Sequence, residues 1–207
     1  GTLPPLDPQK PLLVFSSHSH EDHFDGKVFG LLEQYPLTQF FVSRDTRLTE
    51  RRRKWLGISD EAFAHTTVLR PDSILLTEAA GEELSVRAIK STDIGNAYLL
   101  RAEGKMVYHG GDLNWWHWNG ESEEFNNDIA DSYRREIDLL KGREIDVACV
   151  PADPRLQDKY DWAVDYFMET VGAKVLLPMH FWKHFDICEK LRQKPYGAHV
   201  ALIRREG

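Results

Sequence analysis

The amino-acid sequence predicts an α+β protein whose two β-sheets pack face to face, with helices on their outer faces. Two observations support this fold class. Short strand patterns separated by turn pairs crowd the middle of the chain, and helical and strand patterns alternate from Asn127 to the end. Each β-rich stretch is followed by helices, which favours two sheets in contact with helices outside.

Length and composition limit the classes of function. The chain has 207 residues, which suits a single domain over 1–207 with room for a cavity lined by polar groups. Its formal net charge of -7 argues against nucleic acid as a standing partner, because that binding depends largely on basic surface. Cys149 and Cys188 are too few for a disulfide framework, and no apolar run reaches the ~18 residues of a membrane span. We therefore expect a cytoplasmic location and no membrane partner.

The N-terminal part of the chain alternates strands and helices. Four prolines fall within residues 1–11, which predicts an irregular segment. The expected elements are a strand at 12–15, a helix at 25–34, a strand at 39–42, and a helix that Asp45 or Thr46 caps and that ends at Gly57. The basic run at 51–54 lies on this last helix. A solvated helical face is the favoured interpretation of that run, and an anion-steering patch is the alternative.

The middle of the chain predicts a meander, and the C-terminal part predicts alternating helices and strands. The expected meander strands are 67–69, 73–77, 84–89, 97–101 and 105–108. Ile129, Tyr133 and Ile137 recur at helical spacing before Gly142. The remaining expected elements are a strand at 145–150, a helix between Asp161 and Gly172, a strand at 174–177, a helix at 183–192 and a strand at 199–203.

Three histidines and a carboxylate follow the first strand within six positions, at His18, His20, Asp22 and His23. Such a cluster is costly to bury and suits a loop that leaves a buried strand better than it suits a helix. Successive side chains of an extended segment alternate between faces, so His18, His20 and Asp22 can point one way while a turn brings in His23. The cluster therefore predicts a site for two adjacent metal ions.

Two further candidate ligands follow later strands. Asp112 comes after the expected strand at 105–108, and the glycines at 110 and 111 allow a tight backbone approach that directs its carboxylate inward. His180 follows a late apolar strand pattern. A carboxylate can bridge two ions, so Asp112 is the expected bridging ligand and His180 a terminal one.

The pattern His-x-His-x-Asp-His after an apolar strand resembles the signature of the metallo-β-lactamase superfamily. The segments at 110–118 and 178–182 are similar to those of bacterial members near ascorbate-6-phosphate lactonase. The resemblance implies an αββα sandwich of two mixed β-sheets with metals at one edge. Members usually carry two or more strands before the motif strand. We therefore expect an N-terminally truncated domain whose first sheet lacks its N-terminal strands.

The resemblance also implies a ligand set. His18 and His20 would hold the first metal, Asp22, His23 and His180 would hold the second, and Asp112 would bridge the two. The family supplies one more histidine to the first metal, three residues before a glycine. This chain has Thr92 at that place, ahead of Gly95.

Threonine is a poor zinc ligand, so the neighbouring Asp93 is expected to complete the first site. The alternatives are that His109 or His117 takes this place, or that the first metal is weakly held or absent. An oxygen donor in place of nitrogen shifts the preference towards manganese or iron, with zinc still open. The expected cofactors are thus two divalent ions. Zinc is the first choice for both, and manganese or iron is the second choice.

The candidate substrate-binding residues are four tryptophans close in sequence to the candidate ligands and one arginine. The arginine follows the expected strand at 145–150, at the sheet edge where the metals are expected. The candidates are Trp115, Trp116, Trp118, Trp182 and Arg155. Three indoles so close in sequence do not fit one core comfortably, so a pocket wall is the favoured interpretation and a core corner the alternative. Asp153 is expected to contact either the substrate or a metal ligand, with an ordinary turn as the equal alternative.

The expected activity is metal-dependent hydrolysis, in which a metal-bound hydroxide attacks a small ester, lactone or related substrate. Asp22 and Asp112 are the expected catalytic residues, with Asp22 orienting the nucleophile. Protonation of the leaving group is open among His109, His117 and His184.

Three alternative functions also remain open. The chain could be a small-molecule phosphodiesterase, a metal- or ligand-binding protein without turnover, or a nuclease that uses the basic run at 51–54 as an exosite. The expected partner is a small-molecule substrate, and a homo-oligomer is an open alternative to a monomer.

Overall fold

A computed structural model describes residues 3–204, so residues 1, 2 and 205–207 of the expected domain lie outside the described residues. Within that range the chain forms two β-sheets and six α-helices. The strands are β1 (Leu12–Ser16), β2 (Thr38–Ser43), β3 (Thr66–Leu69), β4 (Ile74–Ala79), β5 (Glu82–Lys90), β6 (Asn96–Ala102), β7 (Lys105–His109), β8 (Val147–Pro151) and β9 (Val175–Met179). The helices are α1 (Leu31–Gln34), α2 (Glu50–Trp55), α3 (Asp60–Ala64), α4 (Glu123–Asp138), α5 (Trp162–Thr170) and α6 (Asp186–Leu191).

The two sheets differ in strand direction. The first has the order β1-β2-β3 and is parallel throughout. The second has the order β4-β5-β6-β7-β8-β9, antiparallel from β4 to β7 and parallel from β7 to β9. Two mixed sheets were predicted. Among the described residues only the second sheet is mixed, and the first is purely parallel. The helices between the strands of the first sheet return the chain to the same end, which makes those strands parallel.

Alternating burial along β2 defines the layers of the fold. Phe40 packs against Phe29 and Leu32 on the helical side. Phe41, the next residue, packs with Val86 and Tyr98 of the second sheet on the other side. Because successive strand residues face opposite ways, one strand serves both the helix-facing core and the core between the sheets.

The second sheet buries its other face beneath the C-terminal helices. Tyr133 and Ile137 of α4 and Phe167 of α5 are fully buried there, and Phe167 stacks on Tyr108 of β7 at 4.9 Å between ring centroids. The layers therefore run helices, sheet, sheet, helices. This is the predicted two-sheet sandwich.

The predicted start of α2 is wrong. Thr49 caps this helix, and its side chain accepts a hydrogen bond from the backbone N–H of Arg52. Arg47 has a left-handed backbone, with φ of 47°, which ends the preceding turn before a helix can continue. Asp45, one of the two expected caps, accepts instead from the backbone N–H of Ser19 at 2.8 Å.

Other predicted elements also differ from the structure. The strand expected at 67–69 pairs with β2 in the first sheet as part of β3, so it does not belong to the meander. The segment expected as a strand at 199–203 forms a 3₁₀ turn (Gly197–His199) and then one bridge between Leu176 and Val200. The chain runs beside β9 for a single residue there, which is too short for a strand. Helix α3, capped by Ser59, was not predicted.

The basic run on α2 is partly structural. Arg53 is buried, pairs with Asp60 and stacks over the ring of Phe63 at 4.8 Å. Lys54 pairs with Glu50 one turn earlier. The run is therefore not uniformly solvated, because one of its side chains anchors the α2–α3 corner. Within residues 3–204, no helix combines the length and the apolar character that crossing a lipid bilayer requires.

Replacing Phe40 by alanine should lower the free energy of unfolding by about 3–5 kcal/mol, because its ring is fully buried and the cavity left behind cannot collapse completely. Urea unfolding followed by circular dichroism measures this change. Leu76→Ala is the matched control, since Leu76 is 71% exposed on β4 and its loss should cost less than about 0.5 kcal/mol. Equal losses for the two variants would contradict the assigned layers.

Candidate metal centre

The histidine cluster is oriented by the serine that precedes it. The hydroxyl of Ser17 lies 2.9 Å from Nδ1 of His18 and 3.1 Å from Nδ1 of His23. Both rings are therefore engaged at Nδ1, and their Nε2 atoms face Asp112. Burial lowers the pKa of His18 below its ordinary value, which keeps the ring in the neutral form that binds metal ions.

Asp112 lies at the centre of the cluster. Its Oδ2 is 3.4 Å from Nε2 of His18, and its Oδ1 is 3.2 Å from Nε2 of His23 and 3.3 Å from Nε2 of His180. Three imidazoles from two distant parts of the chain thus converge on one carboxylate. Asp112 follows β7 after two glycines, and His180 follows β9 directly. Because β7 and β9 run in the same direction, both residues lie at the same edge of the second sheet.

The seven predicted ligands fall into two adjacent groups of donor atoms. Within each group the donor atoms lie within 4.8 Å of one another. The first group is His18, His20, Asp93 and Asp112, and the second is Asp22, His23 and His180. In the first group Nε2 of His18 and Nδ1 of His20 are 2.9 Å apart, which is a hydrogen-bond distance and brings both nitrogens within reach of one ion.

Asp93, and not Thr92, faces the first group. The hydroxyl of Thr92 donates to the backbone carbonyl of Asn114 at 2.6 Å and accepts from the N–H of the same residue at 3.1 Å. Thr92 therefore holds the loop that follows Asp112, which leaves Asp93 beside the histidines. Neither of the two alternative histidines joins the groups: Nδ1 of His109 accepts from the N–H of Gly111, and His117 packs on Trp162.

Two glycines allow the loops of the centre to touch. A Cβ on Gly95 would lie 2.1 Å from the carbonyl oxygen of Ser17, and a Cβ on Gly111 would lie 2.7 Å from the Ser17 Cβ. Both glycines have left-handed backbones, with φ of 75° and 53°. The N–H of Asn96 donates to the Ser17 carbonyl at 2.9 Å, which ties the Asp93 loop to the histidine segment.

His180 is held by Asp153, which is fully buried. Nδ1 of His180 lies 2.9 Å from Oδ2 of Asp153, so Nε2 faces Asp112. Burial alone would lower the pKa of His180, but the carboxylates of Asp112 and Asp153 outweigh it and raise the pKa to about 9. Burial would raise the pKa of Asp153, yet hydrogen bonds from His180 and Arg155 lower it to about 2. His180 also has a left-handed backbone, with φ of 64°, which is unusual strain for a residue other than glycine.

The residues fit divalent ions. Oδ1 of Asp112 is buried, and no donor in residues 3–204 makes a hydrogen bond to it. A buried carboxylate oxygen without a hydrogen-bond partner is costly, and a neutral imidazole such as that of His18 offers a lone pair to a cation. Nitrogen and carboxylate oxygen are the donors that zinc takes in proteins. A cation between these atoms would satisfy all of them together.

A cavity of about 330 Å³ opens beside the two groups. Trp116 and Trp118 stack in parallel along one side, with their ring centroids 5.8 Å apart. Trp182 and Arg155 complete that wall, and Phe125 with Ile129 from α4 lines the cavity as apolar surface. Four of the five predicted substrate-binding residues therefore line one cavity next to the candidate ligands.

Trp115 is the exception, because it does not line this cavity. Its ring packs against Tyr133, Trp162 and Tyr166, and Arg134 lies over it at 4.3 Å, on the far side of the segment from the cavity. The alternative of a core corner therefore holds for this one indole. Trp115 and Trp116 are neighbours in an extended segment, so their rings face opposite ways.

Sequence reasoning missed several residues around the centre. Ser17 carries no metal-site signature of its own, although its place immediately before the first histidine could have suggested a partner for a ring nitrogen. Phe125 and Ile129 were not predicted to lie near the centre. Ile129 was assigned to a helical stripe and Phe125 to no element, and no local signal shows that the N-terminal half of α4 reaches the cavity. The three histidines left open for protonating a leaving group, His109, His117 and His184, do not line this cavity among the described residues, whereas His20 and His180 do.

Comparisons with known proteins support the fold. No protein-family model matches the chain, and no curated protein sequence matches it significantly. The structure is similar to that of a candidate metal-dependent hydrolase from Parabacteroides distasonis, at 19% identity and a TM-score of 0.53 over 96% of this chain and 80% of that one. This likeness supports a shared fold, and at such identity it says nothing about substrate.

Two other solved structures are similar at lower TM-scores. The metallo-β-lactamase fold protein YhfI from Bacillus subtilis is 13% identical, with a TM-score of 0.46 over 92% of this chain and 75% of that one. The short form of human tRNase Z is 17% identical, with a TM-score of 0.47 over 82% of this chain and 71% of that one. The layer order of this chain is the αββα sandwich that the metallo-β-lactamase-like prediction specified, and that fold prediction is confirmed.

Gly95→Ala should abolish binding of ions to the first group, because the added methyl would collide with the backbone of Ser17 and displace the Asp93 loop. Elemental analysis of the purified protein measures the ion content. Gly104→Ala is the matched control: Gly104 has nearly the same left-handed backbone, with φ of 70°, but nothing lies within 4 Å of its Cβ position. Similar ion loss in both variants would show that backbone strain alone, and not the contact with Ser17, accounts for the effect.

Proposed function

We propose that this protein is a metal-dependent hydrolase that cleaves a small ester or lactone. The observation that carries the proposal is the convergence of seven nitrogen and oxygen donors in two adjacent groups beside a cavity walled by indoles. A binuclear centre of zinc is the first choice, and the oxygen donor Asp93 favours manganese or iron as the second. The proposal that the protein is close to ascorbate-6-phosphate lactonase is based only on the sequence segments at 110–118 and 178–182. A lactone substrate would be consistent with that proposal.

His18, His20 and Asp93 would hold one ion, Asp22, His23 and His180 would hold the other, and Asp112 would contact both. Ions bound there would supply a nucleophile by lowering the pKa of water to about 7 and would withdraw charge from the attacked carbonyl oxygen. The reaction joins the water oxygen to the acyl carbon, breaks the bond from that carbon to the alcohol oxygen, and releases an acid and an alcohol.

Asp22 is proposed to position the attacking water and to accept its proton, and Asp112 is proposed to act by holding both ions beside that water. Asp22 is half exposed on the rim of the cavity, whereas Asp112 is buried at its floor, so one carboxylate reaches solvent and the other does not. Asp153 fixes the ring of His180 through Nδ1, an arrangement that orients a ligand and sets which nitrogen faces the centre. The indoles exclude water from one side of the cavity and leave a planar surface for substrate.

The proposal extends to a single domain in the cytoplasm that acts on a small molecule. The cavity volume of about 330 Å³ suits a small ligand. The cytoplasmic location rests on the scarcity of cysteine and the absence of any disulfide framework from the sequence.

His20→Ala should remove ions from the first group and lower kcat/KM for a para-nitrophenyl ester at least about 100-fold, because one of four donors is lost. Ester hydrolysis and elemental analysis on the same preparation measure both effects. His199→Ala is the control, since this exposed histidine bonds a backbone carbonyl and belongs to neither group. Two ions without turnover of esters or of bis-para-nitrophenyl phosphate in the wild type would favour a non-catalytic binding protein, and turnover of the phosphate alone would favour a phosphodiesterase.

Asp93→Ala should reduce the ion content by about one per chain, because the first group would keep three donors of four. Asp93→His should retain the ion that Asp93→Ala loses. It should also shift the metal preference of the first group from manganese towards zinc, because a nitrogen donor replaces an oxygen donor. Competition between the two metals, followed by elemental analysis, measures the shift. Glu21→Ala is the matched carboxylate control, as Glu21 lies in the same segment as the histidines but in neither group. Unchanged ion content in Asp93→Ala would show that another residue completes the first group.

A further inference from the structure

Arg155 projects into the cavity with part of its guanidinium free. Its Nε donates to both carboxylate oxygens of Asp153 at 3.0 and 2.9 Å, and its Nη2 donates to Oδ2 at 2.5 Å. Nη1 makes no hydrogen bond to any residue in 3–204, and the side chain is 52% exposed. An arginine carries five N–H donors in a fixed fork, so the buried carboxylate engages one edge and leaves the other edge open.

Three indoles surround this cation. The carbon at the centre of the guanidinium is 5.9 Å from the ring centroid of Trp116, 5.7 Å from that of Trp118 and 5.6 Å from that of Trp182. Contacts of this kind hold a cation in place without using its hydrogen-bond donors. The position of Arg155 is thus set by Asp153 and the indoles together, while its free N–H groups remain available to a ligand.

The same indoles also border the candidate metal centre. The ring of His180 lies 5.7 Å from that of Trp116 and 5.4 Å from that of Trp182, in edge-to-face contacts. Asp153 contacts both His180 and Arg155. Arg155 and the ligands His180 and Asp112 therefore line the same cavity, so one small molecule can contact both.

The charge of the cavity wall is uneven. Among the described residues that line it, Arg155 is the one lysine or arginine side chain. The carboxylates Asp22, Asp93 and Asp112 belong to the two groups that would neutralise divalent ions, and Phe125 and Ile129 are apolar. The cavity thus offers, in one small volume, a reaction centre, an apolar side and a single pre-oriented cation.

We propose that Arg155 determines specificity by binding an anionic group of the substrate through its free N–H donors, so that the protein prefers a small ester or lactone that also carries a carboxylate or phosphate group. The inference rests on the proposed function and names the class of substrate within it. Charge-assisted hydrogen bonds to a guanidinium are the strong ones, and their planar geometry suits both anions.

The test compares three para-nitrophenyl esters with acyl chains of similar length. The butyrate is neutral, the hemisuccinate ends in a carboxylate, and the phosphonopropionate ends in a phosphonate. The wild type should favour the two anionic esters over the butyrate by at least about tenfold in kcat/KM. Arg155→Met should reduce that preference about 10- to 100-fold, mainly through KM, because the charge-assisted hydrogen bonds are lost. The two anionic esters distinguish a carboxylate from a phosphate site.

Lys159→Met is the matched control. Lys159 lies on the same 3₁₀ segment (Pro154–Lys159) but bonds Asn119 and Asp158, stacks over Trp162 and does not line the cavity. The preference for anionic esters should be the same in this variant as in the wild type. Ion content is measured for every variant, so that loss of metal is separated from loss of substrate binding.

Binding is also measured without turnover, by quenching of tryptophan fluorescence with succinate. Weaker succinate binding in Arg155→Met than in Lys159→Met supports the inference even if no ester is hydrolysed, in which case only the proposed function fails. Equal loss of all three esters with full ion content would overturn the inference and leave Arg155 as a positioning residue for Asp153. If Arg155→Met loses its ions, the same measurements are made on Arg155→Lys, which keeps a positive charge at this place. A preference for anionic esters in an ion-loaded Arg155→Lys supports the inference, and no such preference overturns it.

Discussion

The candidate site depends on one crowded contact, the approach of three imidazoles to the carboxylate of Asp112. Its Oδ1 is buried without a hydrogen-bond donor and has two ring nitrogens within 3.3 Å. Burial acts against the ionised form of this carboxylate, but the imidazoles of His180, His23 and His18 outweigh it and lower its pKa. The surrounding fold maintains this contact through Ser17, Asp153 and the two glycines that let the loops approach. The sandwich is therefore a scaffold that holds these donor atoms close together, where a cation would contact several of them at once.

Much of this could be predicted from the sequence, because the signals were local. A dense histidine segment after an apolar strand has few structural explanations, and strand ends at the same sheet edge place Asp112 and His180 near it. Asp93 was chosen over Thr92 from donor chemistry alone, and the structure shows the hydroxyl of Thr92 engaged with the backbone of Asn114. Periodicity alone predicted mixed α and β structure. Two β-rich stretches, each followed by helices, suggested two packed sheets, and the αββα order of layers was implied by the resemblance to the metallo-β-lactamase superfamily.

What could not be predicted depends on contacts between distant segments. Trp115 and Trp116 are chemically alike and adjacent, so nothing local shows which ring faces the cavity and which faces α4 and α5. The pairing of β3 with β2 is a long-range choice that the strand pattern at 67–69 does not reveal, since the same residues would suit a meander. The cap of α2 was misplaced because Asp45, an ordinary capping residue, is used by the backbone of Ser19 instead. In each case a tertiary contact overrode a reasonable local preference.

The distribution of the donors along the chain has a consequence for stability. The two groups take side chains from residue 18 to residue 180 and from both sheets, so ions bound there would cross-link the two halves of the sandwich. A ligand that binds the native state and not the unfolded chain shifts the folding equilibrium in proportion to the logarithm of its concentration. Resistance to heat would then depend on metal supply, and a chelator would act as a denaturant of the whole molecule as well as an inhibitor. Scarcity of metal in the cell would thus lower the amount of intact protein as well as its turnover.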